Sequence, residues 1–106
     1  MAEATLVRDP VQVDANHYSV LSENDQVRVL KVSYGPHEKS VMHEHPSLVA
    51  VFLNDGNFRF SFPDGRSEER TGKAGDALVM PAEVHLPENI GNTRVDIVLI
   101  ELKNRR

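Results

Sequence analysis

The stretch from Asp55 to Gly65 constrains the fold more than any other part of the chain. Phe58, Phe60 and Phe62 alternate with Asn57, Arg59 and Ser61. That period of two puts the aromatic rings on one face of an extended strand and the polar groups on the other. The pairs Asp55-Gly56 and Asp64-Gly65 bracket the strand, and Asp-Gly favours the tight turns of β-hairpins. The same pattern of short apolar runs between turn residues continues in both directions. Leu48 to Leu53 is a continuous apolar run, expected as a strand covered on both faces. Val27 to Tyr34 and Arg94 to Leu102 are rich in β-branched residues and predict long strands, while Ala77 to Met80 is shorter and stops at Pro81. No window carries a helical stripe, which leaves room only for a turn of helix near the N-terminus. About eight to ten short strands in one small domain predict an all-β sandwich or barrel, with the jelly roll as one closed solution.

Composition narrows the function classes. A chain of 106 residues supports one core and no second domain. Its formal charge of −4, with the basic residues scattered except for Arg105 and Arg106, argues against nucleic acid or an anionic membrane as partner. The segment Met1 to Asp14 contains Glu3, Arg8, Asp9 and Asp14, so no signal peptide is expected, and no run approaches the roughly 20 apolar residues of a membrane span. A cytoplasmic location is the expectation. Cysteine is absent, which removes disulfides, thiolate nucleophiles, iron–sulfur clusters and cysteine-based zinc sites together. A transition metal would have to be held by imidazole and carboxylate.

Imidazole is available. His43 and His45 stand two apart, so on a strand both point to one face while Glu44 points to the other. Two inward imidazoles bring polar nitrogens into a core and repel each other if protonated. A metal ion resolves both difficulties, since neutral imidazole is among the commonest ligands for zinc, iron, nickel and copper. A pair without metal, in the core or on the surface, is the competing reading. Further along, Gly75 to Pro81 is a turn, a short apolar strand and a stop; His85 follows, and then Asn89.

Taken together, these residues resemble the two motifs of the cupin superfamily. Gly35, His43, His45 and Gly56 stand in the order of the first motif, with a lengthened first gap, and Gly75, Pro81, His85 and Asn89 match the second. Glu83 stands where the second motif usually has a glycine. The likeness spans Val27 to Leu102. It implies a single-domain double-stranded β-helix (a jelly-roll, or cupin, barrel) over residues 1–106, with metal motifs within 35–56 and 75–89 and an N-terminal arm over 1–22. It also implies one divalent metal ion, iron, zinc or nickel, held by His43, His45 and His85. Where cupins carry a glutamate ligand this chain has Val49 or Ala50, so the site is similar to the three-histidine cupins that cleave diketones or oxidise thiols.

Three neutral ligands leave the metal its full double charge. In a low-dielectric barrel that charge should draw an anionic chelating substrate such as a β-diketonate, an enolate or an oxo acid. With iron and O₂ the first reading is a dioxygenase. With zinc or nickel, a metal-bound water of lowered pKa would suit redox-neutral C–C hydrolysis or isomerisation. A non-catalytic ligand-binding or sensing cupin is the third reading. Glu83 is the one candidate catalytic residue, as a base or as an orienting group for a ligand, with an exposed loop glutamate as the plainer alternative. His37 is a candidate mouth residue or fourth ligand, with a surface histidine of no role as the plainer expectation. Arg59 is expected to face water, Asn89 to cap a turn, and His17 to have no role. The segment Val11 to Ser22, read as unpaired, predicts a homodimer formed by pairing or swapping that segment.

Overall fold

The computed structural model describes residues 8–103, so the two C-terminal arginines and the start of the expected N-terminal arm lie outside the described residues. One helical turn, α1 (Pro10–Val13), is followed by nine strands: β1 (Tyr18–Glu23), β2 (Val27–Tyr34), β3 (His43–His45), β4 (Leu48–Phe52), β5 (Gly56–Ser61), β6 (Ser67–Gly72), β7 (Ala77–Met80), β8 (Glu83–Asn89) and β9 (Val95–Leu102). They form two antiparallel sheets, in the orders β1-β2-β9-β4-β7 and β3-β8-β5-β6. Every second residue of β2, β4 and β9 points into the space between the sheets. Leu30, Val32 and Tyr34, Leu48, Ala50 and Phe52, and Val95, Ile97 and Leu99 meet Tyr18 and Phe58 there as one core. Burying each large apolar side chain contributes about 1.5–3 kcal/mol.

The two Asp-Gly pairs have different fates. Asp64-Gly65 turns the β5–β6 hairpin, with Gly65 at φ 92°, a backbone that favours glycine. Asp55-Gly56 is not a hairpin turn, because β4 and β5 belong to different sheets. Gly56 sits at the corner between them, where a Cβ would lie 2.6 Å from a Val95 methyl. Glycine is needed there for close approach, not for turning. Leu48 to Leu53 also differs from expectation, since burial alternates along β4 and its outward residues Val49 and Val51 are only half-buried.

The segment read as unpaired is paired within its own chain. Val11 to Val13 lie in α1, and Tyr18 to Glu23 form β1, antiparallel to β2 with a bulge between Val20 and Ser22. β1 pairs with β2 on one side and stands at the edge of the larger sheet, so the segment is not the unpaired arm expected from the sequence. Apolar surface lies elsewhere. On the outer face of the larger sheet Val29, Ile100, Val49 and Val79 are successive cross-strand neighbours, beside a second row of Lys31, Val98, Val51 and Ala77. Val79, on the edge strand β7, is 82% exposed. No helix among the described residues is long and apolar enough to cross a membrane.

Candidate metal centre

Strand alternation turns His43 and His45 inward from β3, leaving Glu44 outward and half-buried. β8 lies antiparallel to β3 with His85 directly opposite His43 and Glu83 opposite His45. The three imidazoles are buried, their ligating nitrogens lie within 4.8 Å of one another, and no fourth His, Asp or Glu joins the cluster among the described residues. His43 and His85 ring centroids are 5.0 Å apart, and those of His43 and His45 4.8 Å.

Each ring is held from behind through Nδ1. His45 Nδ1 lies 2.7 Å from Glu101 Oε2, and His85 Nδ1 2.7 Å from Glu83 Oε1. His43 Nδ1 lies 3.2 Å from Ser40 Oγ, which donates to Asp14 Oδ2 at 2.5 Å. An Nδ1–H bound to an oxygen acceptor leaves the Nε2 lone pair free, the tautomer that a metal requires. Burial drives the His43 imidazole down to about 3, and the neighbouring His45 and His85 rings push the same way. Burial likewise takes His85 down to about 4, although its bond to Glu83 opposes the change. Both rings are therefore neutral at physiological pH. Three imidazoles, each held at Nδ1 and gathered at one point, fit a divalent transition metal ion.

Behind the ligands, charge is balanced in pairs. Arg28 donates to Glu101 from Nε at 3.0 Å and to Asp9 through both terminal nitrogens at 2.9 Å. Arg70 donates to Glu83 at 2.9 and 3.1 Å and to Glu68 at 2.6 Å, and lies 4.5 Å above the Phe60 ring. Burial alone would raise the Glu83 carboxyl, but the hydrogen bonds from Arg70 and His85 outweigh it and hold the group below the usual glutamate range. Each carboxylate that polarises a histidine thus meets its own arginine.

His45 and His85 open on a cavity of about 70 Å³ whose walls include Val32, Leu48, Ala50, Phe52, Phe58 and Leu99. The Tyr18 hydroxyl reaches this region, 3.4 Å from His43 Nε2 and 2.8 Å from the Tyr34 hydroxyl. Burial raises the pKa of both tyrosines, so they remain protonated donors.

The structure brings His43, His45 and His85 together as the spacing implied. It places Glu83 at the start of β8, on His85 and not in a free loop. His37 is exposed and bonded to Asn92, away from the cluster. Arg59 faces outward between Glu69 and Glu88. Asn89 is fully buried and ties the β8–β9 turn, donating to the carbonyls of Tyr34, Gly35 and Thr93 and accepting from Gly91 N–H. His17, expected to have no role, stacks on Tyr34 at 4.2 Å and bonds to Asp14 at 2.8 Å. Glu101, Ser40, Asp14 and Arg28 were missed by sequence reasoning. Glu101 did leave a signal, because it falls on the inward parity of β9 with Val95, Ile97 and Leu99, where an acid needs a partner.

The two antiparallel sheets thus gather three histidines into a buried cluster whose donor set fits a metal ion. Solved structures similar to the chain carry the same fold. A cupin domain from Bordetella pertussis aligns at 26% identity over 82% of this chain and 92% of that one, with a TM-score of 0.75. A cupin-family protein with a double-stranded β-helix fold from Methanocaldococcus jannaschii aligns at 17% identity over 84% and 83%, with a TM-score of 0.62. A cupin superfamily protein from Desulfitobacterium hafniense aligns at 19% identity over 82% and 76%, with a TM-score of 0.61. No family model and no curated protein matches the sequence. The chain has the cupin fold, with a three-histidine cluster inside it.

Proposed function

We propose that this chain is a metal-dependent cupin enzyme that acts on a small anionic chelating molecule of the β-diketone, enolate or oxo-acid type, with oxidative cleavage by O₂ as the first reading. The observation that carries the proposal is a cluster of three histidines without a carboxylate among them, two of which, His45 and His85, line a small apolar cavity. A divalent iron held by His43, His45 and His85 would supply Lewis acidity and open coordination positions for a chelating anion. The chain's own residues supply the rest. Glu101 and Glu83 orient His45 and His85, the aliphatic and aromatic walls exclude water, and the Tyr18 hydroxyl stands ready to donate to an oxygen of the bound molecule. Arg70, the one arginine on the cavity wall, is occupied by Glu68 and Glu83, so a substrate anion would be held by the metal and not by a side chain. Glu83 serves in this reading as an orienting group. The cavity is well below the roughly 300–1,000 Å³ of drug-sized pockets, which favours a small substrate.

The test is oxygen uptake by iron-loaded protein with a panel of short β-diketones and 2-oxo acids. Uptake coupled to substrate loss supports the reading. Turnover without O₂ by the zinc or nickel form would replace it with hydrolysis or isomerisation, and ligand binding without turnover would replace it with a sensing role. The proposal includes a cytoplasmic location and a homodimer. The aliphatic residues on the outer face of the larger sheet, with Lys31 and Asp96 of opposite sign among them, are the surface a second copy would cover.

A further inference from the structure

The segment from Arg8 to Asp14 touches the metal centre at three places without contributing a ligand. Its backbone lies along β3, where Arg8 C=O accepts from the N–H of Glu44, the residue between the two histidines, at 2.8 Å. Its N-terminal end is Asp9, which caps α1 through Val11 N–H and accepts both terminal nitrogens of Arg28. Arg28 in turn holds Glu101, and Glu101 holds His45. Its C-terminal end is Asp14, which accepts from Ser40 Oγ. A serine hydroxyl has one hydrogen. With that hydrogen given to Asp14, Ser40 can only accept from His43 Nδ1–H, so the Asp14 carboxylate sets the tautomer of His43 through Ser40. The two caps of one helical turn therefore each reach a different histidine, and His85 is held separately by Glu83 and Arg70.

We propose that residues 8–14 form a clasp that sets the position and tautomer of His43 and His45, with Asp9 and Asp14 as positioning residues, so that metal affinity and the order of this segment depend on each other. The inference rests on the metal-site reading above. Coupling of this kind is reciprocal: what the clasp adds to metal binding, bound metal adds to the stability of the clasp. Asp14 acts through one hydroxyl and Asp9 through two side chains, so Asp14 should have the larger effect.

The experiment uses the full chain loaded with Co(II) or Zn(II), with affinity measured by competition against a chromophoric chelator and geometry by the visible Co(II) spectrum. Asp14→Ala should weaken binding by about tenfold to a hundredfold, the usual range for partners that orient a ligand. Asp14→Asn keeps an acceptor for Ser40 and should regain most of that loss. In a Ser40→Ala background, Asp14→Ala should weaken binding no further, although the loss of its bond to His17 should still lower thermal stability; a purely structural role would give additive losses in affinity. Amide exchange of residues 11–14 in the wild-type chain should slow when metal binds, a readout that stands even where a variant does not fold. Unchanged affinity in both Asp14→Ala and Ser40→Ala, or amide exchange in the segment indifferent to metal, would overturn the clasp while leaving the metal site intact. Failure of the wild-type chain to take up metal would overturn the metal-site reading and the clasp with it.

Discussion

His43 and His85 are direct cross-strand partners of β3 and β8, with ring centroids 5.0 Å apart. Antiparallel register alone therefore brings the two separated motifs to one point, and His45 joins from the same face of β3. Protein purified without added metal should carry one divalent ion per chain by elemental analysis. His43→Ala, His45→Ala or His85→Ala should each reduce that content to near zero. Full occupancy in any of the three would remove that residue from the ligand set.

The metal-free chain should lose stability in mild acid. In the unfolded chain both rings titrate near 6.5, whereas folding depresses His43 to about 3 and His85 to about 4. Between those limits the unfolded state binds protons that the folded state refuses, so stability is fully present above 6.5 and falls as pH drops toward the folded values. The two rings together supply a slope of at most about 2.7 kcal/mol per pH unit. Thermal unfolding of chelated protein at about pH 7 and about pH 5 checks this, and a melting temperature that rises toward acid contradicts it.

Removing the charge behind a ligand should loosen the metal without deleting a ligand. Glu83→Gln and Glu101→Gln should each lower affinity by about tenfold or more, because the imidazole loses its anionic partner. Glu44→Gln, on the opposite face of β3, should leave affinity unchanged. Chelator competition separates the three variants.

Two glycines are sites of contact and not of flexibility. A Cβ on Gly56 would meet Val95 at 2.6 Å, and one on Gly72 would meet the Phe52 ring at 2.5 Å. Gly56→Ala and Gly72→Ala should each cost about 1–3 kcal/mol in denaturant unfolding, the range for an overfilled core. Gly65→Ala meets no neighbouring atom and should act only through its positive φ.

Sedimentation at micromolar concentration should show a dimer. Val79→Lys, at the exposed β7 end of the outer aliphatic row, should shift it to monomer while leaving metal content unchanged. A wild-type monomer would end the proposal of a homodimer.

Much of the fold was legible because strands write their burial into a period of two. Val27 to Tyr34 and Ala77 to Met80 are strands over those same residues, and Phe58 is buried on the face its alternation indicated. The corner at Asp55-Gly56 was not legible, since an Asp-Gly pair reads the same whether the next strand returns to its own sheet or crosses to the other. The paired state of Tyr18 to Glu23 was hidden for a similar reason: its outward residues Ser19 to Glu23 are exposed, and only Tyr18 marks the inner face.

The sequence by itself determined the strand pattern, the absence of thiol chemistry and the three histidines, because those depend on residue type and local spacing. Only the tertiary structure decided what stands behind the histidines. His45 and Glu101 are 56 residues apart, and Arg28 and Glu101 are 73 apart. Such partners are chosen by which strands lie side by side, and strand order is set by the packing of the whole core, not by any local run of residues. The missing carboxylate at Val49 and Ala50 was visible in the chain. That Glu101 sits one bond further out behind His45, and that Glu83 and Glu101 each meet an arginine, was not.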